Sequence, residues 1–347
     1  MIHIIAGTRP NFVKIAPLIW EFRSIRRQFS DYKVIHTGQH YDYKMSKVFF
    51  EELDLDEPDY YLNVGSGTHI QQVTKVMSGL EKIFLKEPPD KIVVVGDVNS
   101  TLGGALAGAI LNIPVYHIES GLRCFYPIPE ELNRIVTDRV SDIHFVSEFS
   151  GMTNLKKEGR HGKFVGNIMI DTLIAKRKDF KTPSPHDLLL ANLNSKKDYV
   201  LVTLHRPENV DKVEDLKEII EELNKLDEEL IFPAHPKTRE MIDKHKIRFN
   251  GSLDYPKSYL SFMGLLENAK AVITDSGGVQ EESTYLGVQC ITLRNETERP
   301  ITIDVGTNQL CERDVSEIRR CLDNPKDGKV PQLWDGSTAK RIVEVLI

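Results

Sequence analysis

The chain has 347 residues, room for two cores of ordinary domain size. With 45 Lys and Arg against 51 Asp and Glu its formal charge is −6, and no run of basic residues forms a stripe for a nucleic-acid partner. No apolar stretch approaches a membrane span, and residues 2–5 are too short a run for a signal sequence, so a cytoplasmic protein without a membrane partner is expected.

Short apolar runs at residues 2–6, 32–36, 92–95, 115–118 and 143–147 alternate with stretches of helical period, which predicts a parallel sheet with crossover helices. The segment "GKFVGN" at 162–167 reads as a crossing strand and turn. A second series starts at 199–204 and continues through 230–233, a strand near Leu253, 271–274 and 288–293. The expected fold class is α/β with two domains, residues 1–168 and 169–335, and "KRKDFKTPSPHD" at 176–187 suits a surface connection. Cys124, Cys290, Cys311 and Cys321 lack C-x-x-C spacing, which favours reduced thiols over disulfides or zinc.

Ligands of open α/β sheets sit outside the carboxyl ends of the strands, so the turns there carry the functional reading. In "AGTRPNFVK", Pro10 marks a helix start, with Arg9 before it and Lys14 about one turn on. Two cations and free backbone N–H groups suit an anion, and an ordinary helix start is the alternative. The turn "GDVNST" lacks the G-K-[ST] ending of a phosphate loop, and Asp97 would repel a phosphate. A catalytic or positioning carboxylate stands level there with an N-cap for a helix starting near Ser100. Glu119 in "YHIESGLR" ends the next strand, where it can converge with Asp97 into a crowded acid–base pair. "PEELNR" puts Glu130 and Arg134 at i, i+4 on one helix face.

In the second half, "VTLHRPEN" places His205 and Arg206 after a strand, and "FPAHPK" does the same for His235. A histidine so placed neutralises a leaving phosphate or carries a proton; no H-x-x-x-H spacing points to a metal. In "TDSGGVQEE", Ser276 can cap a helix while Gly277 and Gly278 let a diphosphate approach the backbone. Glu281 and Glu282 follow in the first turns, where a carboxylate reaches ribose hydroxyls or simply favours the helix dipole. Without G-x-G-x-x-G, a tightly held dinucleotide is not expected.

Taken together, "GTRP", "GDVNST", "HIESGLR", "PEELNR", "TLHRPEN", "DSGGVQEE" and "NETERP", in order from Gly7 to Pro300, resemble the UDP-N-acetylglucosamine 2-epimerase family, chiefly its non-hydrolysing branch. The resemblance implies a GT-B arrangement of two Rossmann-like domains, with residues 336–347 as a helix returning to the first. It implies that Arg9, Ser276, Gly277 and Gly278 bind diphosphate, that Glu282 binds ribose, and that Phe262 packs on uracil; a plain core role is the rival for Phe262. The family's catalytic carboxylates fall on Asp97, Glu119 and Glu130, with Lys14, Arg134, His205 and Arg299 lining the same site. The implied reaction converts UDP-GlcNAc to UDP-ManNAc without NAD or another cofactor, by elimination of UDP to 2-acetamidoglucal and readdition with C2 reprotonated on the opposite face. A homodimer is the family's habit.

Two departures bear on regulation. Pro207 in "HRPEN" replaces an arginine of substrate-activated relatives, and "NVGSGTHIQQ" lacks their Arg-Gln pair, although Gln39 and His40 match. Activation by UDP-GlcNAc at a second site is therefore not carried over, or uses different contacts. The rival readings are a hydrolysing epimerase releasing UDP and ManNAc, an epimerase of another UDP-2-acetamido sugar such as a diacetamido uronic acid, an acceptor-dependent GT-B glycosyltransferase, and a UDP-sugar sensor without catalysis.

Overall fold

The computed structural model describes residues 1–25, 31–38, 43–124, 127–182 and 199–347. The chain divides into two compact units, Met1–Ala175 with Gln332–Ile347, and Lys176–Pro331.

The first unit runs β1 (Ile2–Ala6), α1 (Arg9–Ser24), β2 (Tyr32–His36), α2 (Tyr43–Glu52), β3 (Tyr60–Tyr61), α3 (His69–Lys86), β4 (Lys91–Val95), α4 (Asn99–Ile110), β5 (Val115–Ile118), α5 (Pro129–Val140), β6 (Ile143–Val146), α6 (Phe149–Lys157), β7 (Gly162–Phe164) and α7 (Ile168–Lys176). Its strands form one sheet in the order β3-β2-β1-β4-β5-β6-β7, parallel at every pairing. The interior strand β1, "IHIIA", is buried at all five positions, as a parallel strand covered on both faces requires. The glycines after Asp97 serve packing rather than a ligand. A Cβ on Gly103 would stand 2.8 Å from Val76 of α3, and one on Gly108 2.5 Å from Ile92 of β4, so α4 sits close to both neighbours.

The second unit continues with β8 (Tyr199–Thr203), α8 (Pro207–Val210), α9 (Val213–Leu223), β9 (Glu229–Pro233), α10 (Pro236–Lys244), β10 (Ser252–Asp254), α11 (Tyr259–Asn268), β11 (Ala271–Thr274), α12 (Gly277–Leu286), β12 (Gln289–Leu293), α13 (Ile301–Asp304), β13 (Asn308–Cys311) and α14 (Val315–Asp323). Its parallel sheet has the order β10-β9-β8-β11-β12-β13. Val200, Val202, Ile273 and Ile291 from the strands pack with Ile219, Ile220 and Leu223 of α9 to fill its core. Both units are thus Rossmann-like, with the strand order reversing direction beside β1 and beside β8.

The last helix, α15 (Thr338–Leu346), packs on α1 of the first unit. Asp171 of α7 accepts the Ala339 N–H at 2.7 Å, and Lys91 of β4 donates to the Leu346 carbonyl at 2.7 Å. Thr172 donates to the Val13 carbonyl at 2.5 Å, so α7 is fastened to α1 as well. The edge strands β3 and β13 have no counterpart in the apolar pattern. One is two residues long, and the other, "NQLC", owes its place to pairing along β12. Among the described residues no helix is long and apolar enough to cross a membrane.

Candidate active site

The first unit gathers its chemistry at the carboxyl ends of β1, β4 and β5. Asn11, in the first turn of α1, locks the opening loop: its side-chain oxygen accepts from the Gly7 and Thr8 N–H groups and its amide donates to the Val95 carbonyl at 3.2 Å. A Cβ on Gly7 would lie 2.0 Å from Ser100 Oγ, so the starts of α1 and α4 meet there. Arg9 occupies the first position of α1, half-buried, and Pro10 follows where no N–H is needed.

Lys14 reaches inward from α1 and its Nζ sits 2.6 Å from Glu119 Oε2, with the two side chains only 8% and 3% exposed. Glu119 follows β5 with φ of +68°, a left-handed backbone that costs a non-glycine residue on the order of 1–3 kcal/mol. Such strain persists where packing over-determines it, and here a buried ion pair holds the side chain. Asp97 follows β4, the neighbouring strand, in register with β5 through Val95 and Ile118. Its carboxylate takes a two-pronged contact from Arg134, 2.5 Å from Nη2 and 3.1 Å from Nε, and Asn133 holds its carbonyl at 2.9 Å. Each carboxylate faces a cation, Glu119 that of Lys14 and Asp97 that of Arg134.

Two local expectations are corrected. Asp97 does not cap α4: the N-cap position is Val98, and the Asp97 side chain is taken up by Arg134. Arg134 does not pair with Glu130 four residues back. Its Nη1 binds Glu131 Oε2 at 2.8 Å, and Glu131, buried, also accepts the Cys124 N–H. The guanidinium is drawn inward by Asp97 and Glu131 together, which leaves Glu130 half-exposed on the first turn of α5.

In the second unit, Asp275 closes β11 and ties two turns together. Fully buried, it accepts from the His205 and Arg206 backbone N–H groups and from the Asn209 amide at 2.8 Å, and its Oδ1 lies 3.0 Å from His205 Nδ1. Burial works against its charge, but the His205 hydrogen bond and charge and the Asn209 and Arg206 donors outweigh it and hold the carboxyl below its ordinary pKa. His205 is half-exposed beside it, with its ring direction set by that contact.

Ser276 is the N-cap of α12, accepting from Val279 N, and Ser276, Gly277 and Gly278 are all partly open to solvent. Three guanidinium groups converge beside them on Glu298: Arg294 at 2.8 Å, Arg299 at 2.5 Å and Arg206 at 3.4 Å, while Arg299 Nε also meets Glu281 at 2.9 Å. A Cβ at position 277 would fall 2.5 Å from Arg299 Nη1, so glycine is what lets the arginine close on the turn. Helix N–H groups, a capping serine and adjacent cations are the kinds of donor that suit an anion. Glu281 is thus a partner of Arg299, whereas Glu282 is buried and acts on the buried Tyr259: burial first, then the Glu282 charge, raise that phenol well above its usual pKa. Phe262, one turn on from Tyr259, is partly buried, while Met263, Leu265 and Leu266 are buried. His235 caps α10, its Nδ1 accepting from Lys237 N at 3.3 Å.

A family model described as UDP-N-acetylglucosamine 2-epimerase matches residues 23–347. The chain belongs to this family. A UDP-N-acetylglucosamine 2-epimerase homolog of Methanococcus maripaludis is 43% identical, with 99% of this chain and 98% of that protein covered. The solved structure of Methanocaldococcus jannaschii UDP-GlcNAc 2-epimerase in complex with UDP-GlcNAc and UDP is 40% identical with a TM-score of 0.89, covering 99% of both chains. A UDP-2,3-diacetamido-2,3-dideoxy-D-glucuronate 2-epimerase of Pseudomonas aeruginosa is 37% identical over 99% of this chain and 98% of its own length.

Within the family frame, the motif residues Arg9, Lys14, Asp97, Glu119 and Arg134 gather in the first unit, and His205, Ser276, Gly277, Glu282 and Arg299 in the second. Sequence reasoning passed over Asn11, Glu131, Tyr259, Asp275 and Glu298. Asp275 was in view inside "TDSGG", directly after a strand; the rest lie inside the quoted or adjacent motifs, but nothing local says that they face a partner. Gln39 and His40 lie outside the described residues. Among those described, no three of His, Cys, Asp and Glu cluster as a metal site.

Proposed function

We propose that the protein is a non-hydrolysing UDP-N-acetylglucosamine 2-epimerase. The observation that carries the reading is the pair of cation-held carboxylates at the ends of adjacent strands, Glu119 with Lys14 and Asp97 with Arg134, in a chain whose other sheet offers an anion-binding turn. Ser276, Gly277, Gly278 and Arg299 hold the diphosphate with Arg9 adding a cation, Glu282 binds the ribose, Phe262 stacks on uracil, and His235 supplies a polar contact at the end of β9.

Carbon 2 of the sugar has no adjacent carbonyl, so its proton is weakly acidic. Cleavage of the anomeric C1–O bond makes an oxocarbenium-like centre that acidifies it; the C–O electron pair leaves with UDP, a carboxylate takes the C2 proton, and 2-acetamidoglucal remains. Readdition of UDP to C1 with a proton delivered to the other face of C2 completes the inversion. Acid–base groups for two faces are Asp97, Glu119 and Glu130, and His205, oriented by Asp275, meets the charge that develops on UDP. Incubation with UDP-GlcNAc in D2O, followed by NMR, tests this: UDP-ManNAc carrying deuterium at C2 is expected. Accumulating UDP and free ManNAc would assign the hydrolysing branch. Unchanged substrate without exchange would move the search to the diacetamido uronic acid sugar of the Pseudomonas relative, then to an acceptor sugar. The reading includes a cytoplasmic homodimer, the assembly being read by sedimentation equilibrium.

A further inference from the structure

Behind the two carboxylate turns of the first unit lies a histidine to which the reaction gives no role. His117 of β5 is completely buried. Its Nδ1 is 2.7 Å from Asp138 Oδ1 and its Nε2 is 2.8 Å from the Gly96 carbonyl. A carbonyl has no hydrogen to give, and neither has an ionised carboxylate, so both ring nitrogens must donate. Asp138 is ionised: although burial opposes its charge, the His117 hydrogen bond and charge, and then Arg123, lower its pKa to about 2.

The contacts around this ring reach both turns. Gly96, the residue before Asp97, adopts φ of +72°, donates its N–H to the Ile118 carbonyl and gives its own carbonyl to His117. On the other side, Asp138 Oδ2 accepts the N–H of Gly121, two residues after Glu119. The same oxygen meets Arg123 Nη1 at 2.8 Å, and Arg123 closes a two-pronged pair on Glu158. His144 of β6 donates to the Asp138 backbone carbonyl. The charges therefore alternate as His117, Asp138, Arg123 and Glu158, two positive and two negative. Buried ions are tolerated when each is paired and its remaining hydrogen bonds are filled, and their return is a fixed geometry.

We propose that His117 is held as an imidazolium and that the His117–Asp138 pair is the positioning element that sets the Asp97 and Glu119 turns relative to each other. Neither residue touches substrate; each acts through backbone groups at Gly96 and Gly121. The consequence for catalysis rests on the epimerase reading above, while the protonation state does not.

The test is NMR on uniformly 15N-labelled full-length protein, free of nucleotide sugar, which reads the histidine rings and the backbone amides together. Two protonated ring nitrogens on His117 at pH 8, where exposed histidines are neutral, are expected. In Asp138→Asn, the amide can donate to Nδ1, so the ring turns neutral while still holding Gly96; the imidazolium signature disappears and the Gly96, Asp97 and Gly121 amide resonances shift. His117→Asn, which cannot span both contacts, gives the larger amide shifts and a kcat for UDP-GlcNAc lower by roughly a hundredfold with KM nearly unchanged. A neutral His117 at pH 7 in the parent protein overturns the charge assignment, and unmoved amides in both variants overturn the positioning role. If the parent protein converts no UDP-GlcNAc, the epimerase reading fails while the ring signature and the amide shifts still decide this one.

Discussion

Acid should weaken the first unit through buried histidines that folding keeps from charging, and His3 allows the effect to be isolated at one ring. His3 stands on β1 with none of its surface exposed, its ring centroid 5.6 Å from that of Phe84, and neither nitrogen meets a hydrogen-bond partner among the described residues. Burial is the largest influence and lowers its pKa from 6.5 to about 4, opposed in part by the Glu87 carboxylate. The unfolded chain therefore takes up the proton at higher pH than the folded one, and stability present above pH 6.5 is lost as pH falls toward 4. At about 1.4 kcal/mol per unit, this gap of roughly 2.5 units costs about 2 kcal/mol at pH 5 and about 3 at pH 4, and next to nothing at pH 7. His3→Leu keeps an apolar side chain in place and removes the titration. Trp20 and Trp334, the two tryptophans of the chain, both lie in the unit that holds His3, so their fluorescence in urea follows that unit. Asp171, raised to about 6 chiefly by burial, acts in the opposite sense and cancels between the two proteins. The parent should lose about 2 kcal/mol more than the variant between pH 7 and pH 5. Equal losses would refute the assignment of His3 as a neutral ring that folding keeps from charging.

Three further outcomes follow from the site. Lys14→Met removes the buried cation that faces Glu119 and should destabilise the first unit by about 3–5 kcal/mol, read by the same urea titration; Glu119→Gln, which leaves the Lys14 ammonium without its counter-charge, should also destabilise it and in addition abolish deuterium exchange at C2. Gly277→Ala drives a Cβ into the Arg299–Glu298 pair and should weaken UDP binding about tenfold or more by calorimetry; unchanged affinity would mean that the turn is not the diphosphate site. Asp275→Asn turns one of two accepting oxygens into a donor facing the N–H groups of its partners, which loosens the His205 turn, so kcat should fall at least about tenfold in steady-state kinetics; an unchanged kcat would mean that His205 needs no such support.

Read by itself, the sequence determined the fold class and which turns follow the strands. A parallel strand covered on both faces must be apolar throughout, so the runs at β1, β4, β8 and β11 announce themselves, and the residues that follow a strand are necessarily at the sheet's ligand-facing end. That is why "GTRP", "GDVNST", "HIESGLR" and "DSGGVQEE" are legible in the chain as turns at that end of the sheets. Which side chain meets which was decided only by the tertiary structure. Lys14 and Glu119 are 105 residues apart, Asp97 and Arg134 37, and His205 and Asp275 70. Helical spacing alone favours Glu130 as the partner of Arg134, but Asp97 and the interior draw the guanidinium to Glu131 instead. The left-handed backbone of Glu119 and the doubly donating His117 depend likewise on groups that crossover connections bring together, and no local propensity records where a buried charge will find its counterpart.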